Sequence, residues 1–268
     1  MFIDIIPRML IGGALAGAVA EQASRRGYLT RGGAYAAFAV GTAAAIGGAG
    51  WALSLVVFFC SSVALSDWRR DEKRRRSQRV LPDARARNAW QVLANGGWFA
   101  VAAIAWSVTG SERAALFAFG ALAAATADTW ATEVGMALQA APRSLATLRP
   151  VAPGTSGAVS APGLAASVTG ALVMALCAVA SLTAPVDLAH LEAVVLGGIA
   201  GALADTVLGA TAQSRRWCEV CSEWTERLAH PCGYRSRHRS GLRWMTNDVV
   251  NAVSTGIGGG VAAALWRP

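Results

Sequence analysis

Lysine is nearly missing from this sequence. Lys73 is the only one in 268 residues, and it sits inside an arginine-rich stretch, WRRDEKRRRSQR. The Walker loop GxxxxGK[ST] and the protein-kinase fold both place a lysine on the nucleotide phosphates. Neither motif can be written around Lys73, so both classes are excluded. Charge of either sign is also scarce, at 15% of residues, where a soluble domain carries about 25%. With 54% hydrophobic residues and a mean hydropathy of +0.41, a soluble core is excluded in favour of a polytopic membrane protein. No small-residue cleavage site follows the first apolar run, residues 2–20, which is therefore expected to be a retained helix rather than a signal peptide. The net charge of +8 implies no nucleic-acid partner, because a membrane protein collects positive charge in its cytoplasmic loops.

Several runs reach the roughly 20 apolar residues that cross a bilayer. They predict an all-α transmembrane bundle of about eight helices, with seven to nine compatible, forming a single domain over residues 1–268. Helices are expected near 2–20, 33–47, 50–66, 89–108, 113–137, 163–183, 192–212 and 248–266. The glycines at 47, 48 and 50 could join the second and third into one bent unit. Arginine orders the map. Of the 24 basic residues, 21 fall in loops 21–32, 67–88, 138–162 and 213–247, including Arg85 and Arg87. The intervening loops hold Arg113 and the acidic side, with Asp187, His190 and Glu192. Both termini outside and the basic loops cytoplasmic satisfies the positive-inside rule. The chain is thus expected in the cytoplasmic (inner) membrane, with run 69–87 resting on anionic headgroups or in solvent.

Ionisable groups within spans default to function or to buried pairing. On this map there are four: Asp128 and Glu133 in ADTWATEVG, Asp205 in ADTVLG, and Asp248 in NDVVNAVS. All fall in the cytoplasmic half. Asn88, Gln91 and Asn95 form a stripe at spacing i, i+3, i+7, and Asn247, Asp248 and Asn251 share a face. Gln213 follows Asp205 by eight residues. Gly120–Thr129 (GALAAATADT) and Gly197–Thr206 (GGIAGALADT) align with Asp128 over Asp205. Carboxylates and amides at a cytoplasmic site suit Mg²⁺, which takes oxygen ligands and shares them with phosphate. Interhelical hydrogen bonding is the plainer alternative.

Without lysine, phosphate must be held by arginine and backbone N–H groups. The loop Pro153–Gly157 (PGTSG) offers Gly154, Thr155, Ser156 and Gly157 just before a helix start, with Arg143 and Arg149 upstream. Two of the five cysteines, Cys60 and Cys177, fall in apolar helices and read as small hydrophobes. The others make Cys218-x-x-Cys221 and His230-Pro231-Cys232. A cytoplasmic loop disfavours a disulfide, and three thiols with one imidazole form a closed tetrahedral zinc set. The alternatives are unliganded thiols, or His238 in place of one ligand.

These segments together resemble a known family. ADTWATEVG, PRSLATLRPVAPGTSGAVS, ADTVLGATAQ, CEVC with HPCG, and NDVVNAVSTGIGGG look like the signatures of the domain-of-unknown-function 92 family, that of animal transmembrane protein 19 and the plant and cyanobacterial phytyl-phosphate kinase. GYLTRGGAYAAFAVGT, FFCSSVALS and NAWQVLANGG extend the likeness over essentially the whole chain. The resemblance implies an isoprenyl-phosphate kinase, a phosphotransferase moving a phosphoryl group from a nucleoside triphosphate, with CTP as donor, to a phytyl or geranylgeranyl monophosphate. The expected partners are then the lipid bilayer, the isoprenyl monophosphate and the nucleotide. Asp128, Asp205 and Asp248 are expected on Mg²⁺, with Glu133 as ligand or support. Asn247, Asn251, Asn88, Gln91 and Asn95 would line the site. A transporter or lipid flippase, or another CTP-dependent lipid kinase or nucleotidyltransferase, are the competing readings.

Overall fold

A computed structural model describes residues 5–82, 86–182 and 188–267. Arg85 and Asp187 of the charge map, and the expected helix ends at residues 2 and 183, lie outside the described residues. Eight long helices are found among those described: α1 (Ile5–Arg25), α2 (Arg31–Gly47), α3 (Ala49–Asp67), α5 (Ala89–Thr109), α6 (Glu112–Ala137), α7 (Ala161–Ser181), α8 (Leu188–Thr211) and α9 (Asn247–Ala264). Five of them, α3, α5, α6, α7 and α8, are long and apolar enough to cross a membrane.

Helix α6 is the hub. Every residue from Ala118 to Ala127 is buried, as required of a helix apolar on all sides. Helices α3, α5, α7, α8 and α9 pack around it. The alanine-rich sequence explains this crowding. Lipid tails are as apolar as leucine, so helices associate by close fit, and small residues let backbones approach. At the end away from the basic loops the packing is aromatic. Trp51 lies 4.8 Å from Phe119 and 5.6 Å from Phe99 between ring centroids, with Trp106 stacked at 6.0 Å.

Helices α2 and α3 are two, as expected, broken at Gly48, whose φ of +135° suits glycine alone. Three details differ from the sequence expectation. The basic loop folds its centre into a short helix, α4 (Arg70–Ser77). This helix does not lie free in solvent. Arg69 Nη1 donates to Ala137 O at 3.0 Å and Arg76 Nη1 to Met136 O at 2.9 Å, so two arginines satisfy the orphan carbonyls that end α6. The loops also carry β-structure that the helical pattern concealed. Strands β1 (Arg143–Ser144) and β2 (Ala158–Val159) pair antiparallel, and β3 (Arg215–Cys218) is flanked antiparallel by β4 (Glu223–Thr225) and β5 (Arg237–Ser240). Finally, α8 ends at Thr211, so Gln213 does not continue the Asp205 face.

The three large basic loops interlock into one layer. Glu226 N donates to Val80 O at 2.8 Å. Arg227 Nη1 reaches Gln78 O and Leu81 O at 3.1 and 2.7 Å, and Arg79 pairs with Glu223 at 2.7 Å.

Candidate functional site

Helices α6 and α8 run parallel, with α9 antiparallel across both, and the three meet at small residues. A Cβ on Gly201 would overlap Ala124 Cβ and lie 2.8 Å from Ser254 O; one on Gly258 would lie 2.6 Å from Ala124 Cβ. Only glycine permits that crossing. One turn nearer the basic layer, the same helices carry Asp128, Asp205 and Ser254. Ser254 Oγ donates to Asp205 Oδ2 at 3.4 Å, and the Asp128 and Asp205 charges act on each other, with Glu226 also within reach of Asp205. The two aligned GALAAATADT and GGIAGALADT segments therefore bring their matching aspartates together. Among the described residues neither carboxylate has a cationic partner.

Asp248 lies half-buried in the first turn of α9, which Thr246 caps. Asn247 is exposed there, and Asn251 lies one turn before Ser254 and Thr255. Thr255 Oγ1 holds α9 to α5 through Ala94 O at 2.9 Å.

Glu133 points elsewhere. Five residues put it about 140° from Asp128 around the helix, and it meets α3 and α4. Lys73 forms an ion pair with it, Ser66 Oγ donates to it at 2.7 Å, and Lys73 Nζ also donates to Leu65 O at 2.7 Å. The amide stripe is likewise local. Asn88 and Gln91 form a reciprocal capping box on α5, and Asn95 Nδ2 donates to Gln91 O at 2.9 Å. Trp130 Nε1 donates to Ser61 Oγ at 3.2 Å.

The PGTSG loop sits on the end of α8. A Cβ on Gly157, at φ +73°, would overlap Ala210. Ser156 Oγ donates to Glu226 and accepts from Gln213 Nε2 at 2.8 Å, which also reaches Glu226 Oε1 at 3.1 Å. Burial raises the Glu226 carboxyl above its ordinary value, against the Ser156 hydrogen bond and the nearby Arg215 charge. Arg143 is spent on its own loop, donating to Leu148 O at 2.9 Å, while Arg149 is exposed.

Two cavities were not foreseen. The first, of about 350 Å³, lies between α1, α2, α3 and α5 and is apolar except for Arg87, Gln91 and Asn95 at one end. Arg87 is held there by its backbone: its N–H donates to Tyr28 O at 2.9 Å and its carbonyl accepts from Thr30 N at 3.0 Å. Burial lowers the Arg87 guanidinium from its usual value, partly offset by Glu133. Among the described residues its side chain has no hydrogen bond or ion pair. The second cavity, of about 670 Å³, is lined by Ser214, Arg216, Tyr234, Arg237, His238 and Arg243, among others. The alternating arginines of RSRHR, residues 235–239, were the available signal for a strand facing this cleft. For Arg87 there was none, since nothing distinguishes one arginine of a basic loop as the one lining a cavity.

In the β3–β5 module the Sγ atoms of Cys218, Cys221 and Cys232 and a ring nitrogen of His230 all lie within 4.8 Å of one another. All five cysteines are free. The His230 hydrogen bond, and then the Tyr234 backbone, pull the Cys232 thiol down to about 6, while Cys232 in turn pushes Cys221 up to about 11. His238 stands outside this cluster.

Such a fold is a multi-pass helical membrane protein with a pair of aspartates at a crossing of three helices, on the side of the basic layer. The family model for the integral membrane protein DUF92 family matches residues 14–259, and the chain belongs to that family. It is similar to Protein PGR of Arabidopsis thaliana, 29% identical over 92% of this chain and 92% of that protein. It is also similar to the uncharacterized membrane protein MJ0933 of Methanocaldococcus jannaschii, 33% identical over 58% of this chain and 62% of that one. No solved structure matches.

Proposed function

We propose that the chain is a membrane-embedded prenyl-phosphate kinase, transferring a phosphoryl group from a nucleoside triphosphate, CTP by family resemblance, to an isoprenyl monophosphate. The observation that carries this reading is the Asp128–Asp205 pair. Two carboxylates that repel each other across a helix crossing, with no cation beside them among the described residues, fit a hard divalent ion. Asp128 and Asp205 would hold Mg²⁺, with Asp248 and Asn251 at the mouth. When bound, Mg²⁺ neutralises phosphate charge along the donor.

The protein's own groups divide the remaining tasks. Arg87 receives the acceptor phosphate, and the apolar cavity behind it takes the prenyl chain. The guanidinium groups of the β5 cleft and the backbone of Gly154–Gly157 receive the donor phosphates. An acceptor oxygen bonds to the γ-phosphorus as the bond to the β–γ bridging oxygen breaks, yielding prenyl diphosphate and nucleoside diphosphate. The acceptor oxygen is already ionised, so no general base is assigned. In this reading the donor enters from the cytoplasm, which the arginine distribution supports. Glu133, spent on Lys73, fastens α4 rather than the metal.

The test is direct. Purified protein is incubated with Mg²⁺, labelled CTP or another labelled nucleoside triphosphate, and a panel of phytyl and geranylgeranyl monophosphates. Labelled diphosphate is expected, with loss of a hundredfold or more in Asp128→Asn and Asp205→Asn. No product with any donor would overturn the reading.

A further inference from the structure

The cysteine–histidine cluster belongs to the β3–β5 module and shares no residue with the Asp128–Asp205 pair. Cys218 ends β3, Cys221 closes the turn to β4, and His230 and Cys232 sit on the following loop. Cys218 Sγ and Cys232 Sγ are 3.6 Å apart, and His230 Nδ1 is 3.3 Å from Cys232 Sγ. The sulfur pair is far beyond the ~2.05 Å of a disulfide. Both distances match the edges of a tetrahedron with metal–sulfur bonds of ~2.3 Å and a metal–nitrogen bond of ~2.0 Å.

The far side of the imidazole supplies a second observation. Among the described residues, buried His230 Nε2 has no hydrogen-bond partner, and neither has buried Glu223 Oε2, 3.4 Å away. Buried polar atoms without partners are costly. A metal on Nδ1 resolves both, because it fixes the ring proton on Nε2, where it faces the carboxylate. That is the metal–histidine–carboxylate arrangement that orients ligating histidines. Glu223 Oε1 meanwhile takes Arg79 Nη1 at 2.7 Å.

We propose that Cys218, Cys221, Cys232 and His230 Nδ1 bind a structural zinc ion, with Glu223 as its outer-sphere carboxylate. The ion fixes the β3–β5 module, and the module fixes its neighbours. Glu223 opens β4 and Glu226 follows it directly, and Glu226 holds both Val80 and Ser156. Zinc therefore secures the PGTSG loop and the segment after α4, at a distance, without touching either.

The experiment uses the full chain purified in detergent. Elemental analysis should give one zinc per chain. Exchange for Co²⁺ should give the visible bands of a tetrahedral site with thiolate-to-cobalt charge transfer, absent in Cys218→Ser. Glu223→Gln should keep one zinc but yield it to a competing chelator 10–100-fold more readily. Stripping zinc from the unmodified chain should raise amide hydrogen exchange at 78–81 and 154–157 and leave α6 unchanged. This last arm needs no variant to fold and reads no activity, so its failure is separable from failure of the kinase reading. Absence of zinc after reconstitution, or a cobalt spectrum unaltered by Cys218→Ser, would overturn the site. Unchanged affinity in Glu223→Gln would overturn the outer-sphere role, and unchanged exchange would overturn the coupling to the loops.

Discussion

Replacing Lys73 by methionine tests whether the lone lysine is a surface charge or a structural bolt. Its side chain is 6% exposed and that of Glu133 18%, so water contributes little to either. Methionine preserves the apolar stem but strands the Glu133 carboxylate with Ser66 alone and leaves Leu65 O without its donor. Breaking a buried pair from one side costs about 3–5 kcal/mol. At about 2–4 °C per kcal/mol for a chain of this size, the melting point should fall by about 6–20 °C, read by thermal size-exclusion in detergent. Lys73→Met/Glu133→Leu removes both charges and should recover most of the loss, as non-additive neighbours do. The recovered double variant should also retain diphosphate synthesis. A neutral Lys73→Met, or a double variant no better than the sum of the singles, refutes the bolt. A stable but inactive double variant would return Glu133 to the metal set.

Gly201→Val should force α6 and α8 apart at the Ala124 contact, costing about 1–3 kcal/mol from overpacking; a variant with unchanged melting and turnover would contradict the crossing. Arg87→Gln should raise KM for the prenyl phosphate at least tenfold with kcat nearly unchanged, and a kcat loss alone would remove it from acceptor binding. Arg237→Ala/Arg243→Ala should raise KM for the nucleotide but not for the lipid, which steady-state kinetics varying each substrate would resolve.

The long helices were legible because apolar length and arginine placement are one-dimensional signals. The pairing of Asp128 with Asp205 was legible through the matched ADT segments. The partner of Glu133 was not: Lys73 lies 60 residues away, in a run whose composition suggests solvent. The amide stripe 88–95 has the periodicity of a lined site, yet its first two members serve a cap, because a capping box uses the same i, i+3 spacing. Strands β3–β5 are too short and too polar to stand out, and only the cysteine–histidine spacing and the alternating arginines of residues 235–239 marked that segment as folded.

The interlocked layer also has a history in time. Val80 waits for Glu226, and Leu81 for Arg227, across 146 residues of chain. At synthesis rates of about 5–20 residues per second, that is an interval of roughly 7–30 s. By the end of that interval seven of the eight long helices can already have formed, while Arg79 and the carbonyls after α4 still face water. The last loop then arrives as a clasp, closing a layer whose other parts were made first. A nascent chain halted before residue 213 should hold its helices yet leave the segment after α4 open to protease.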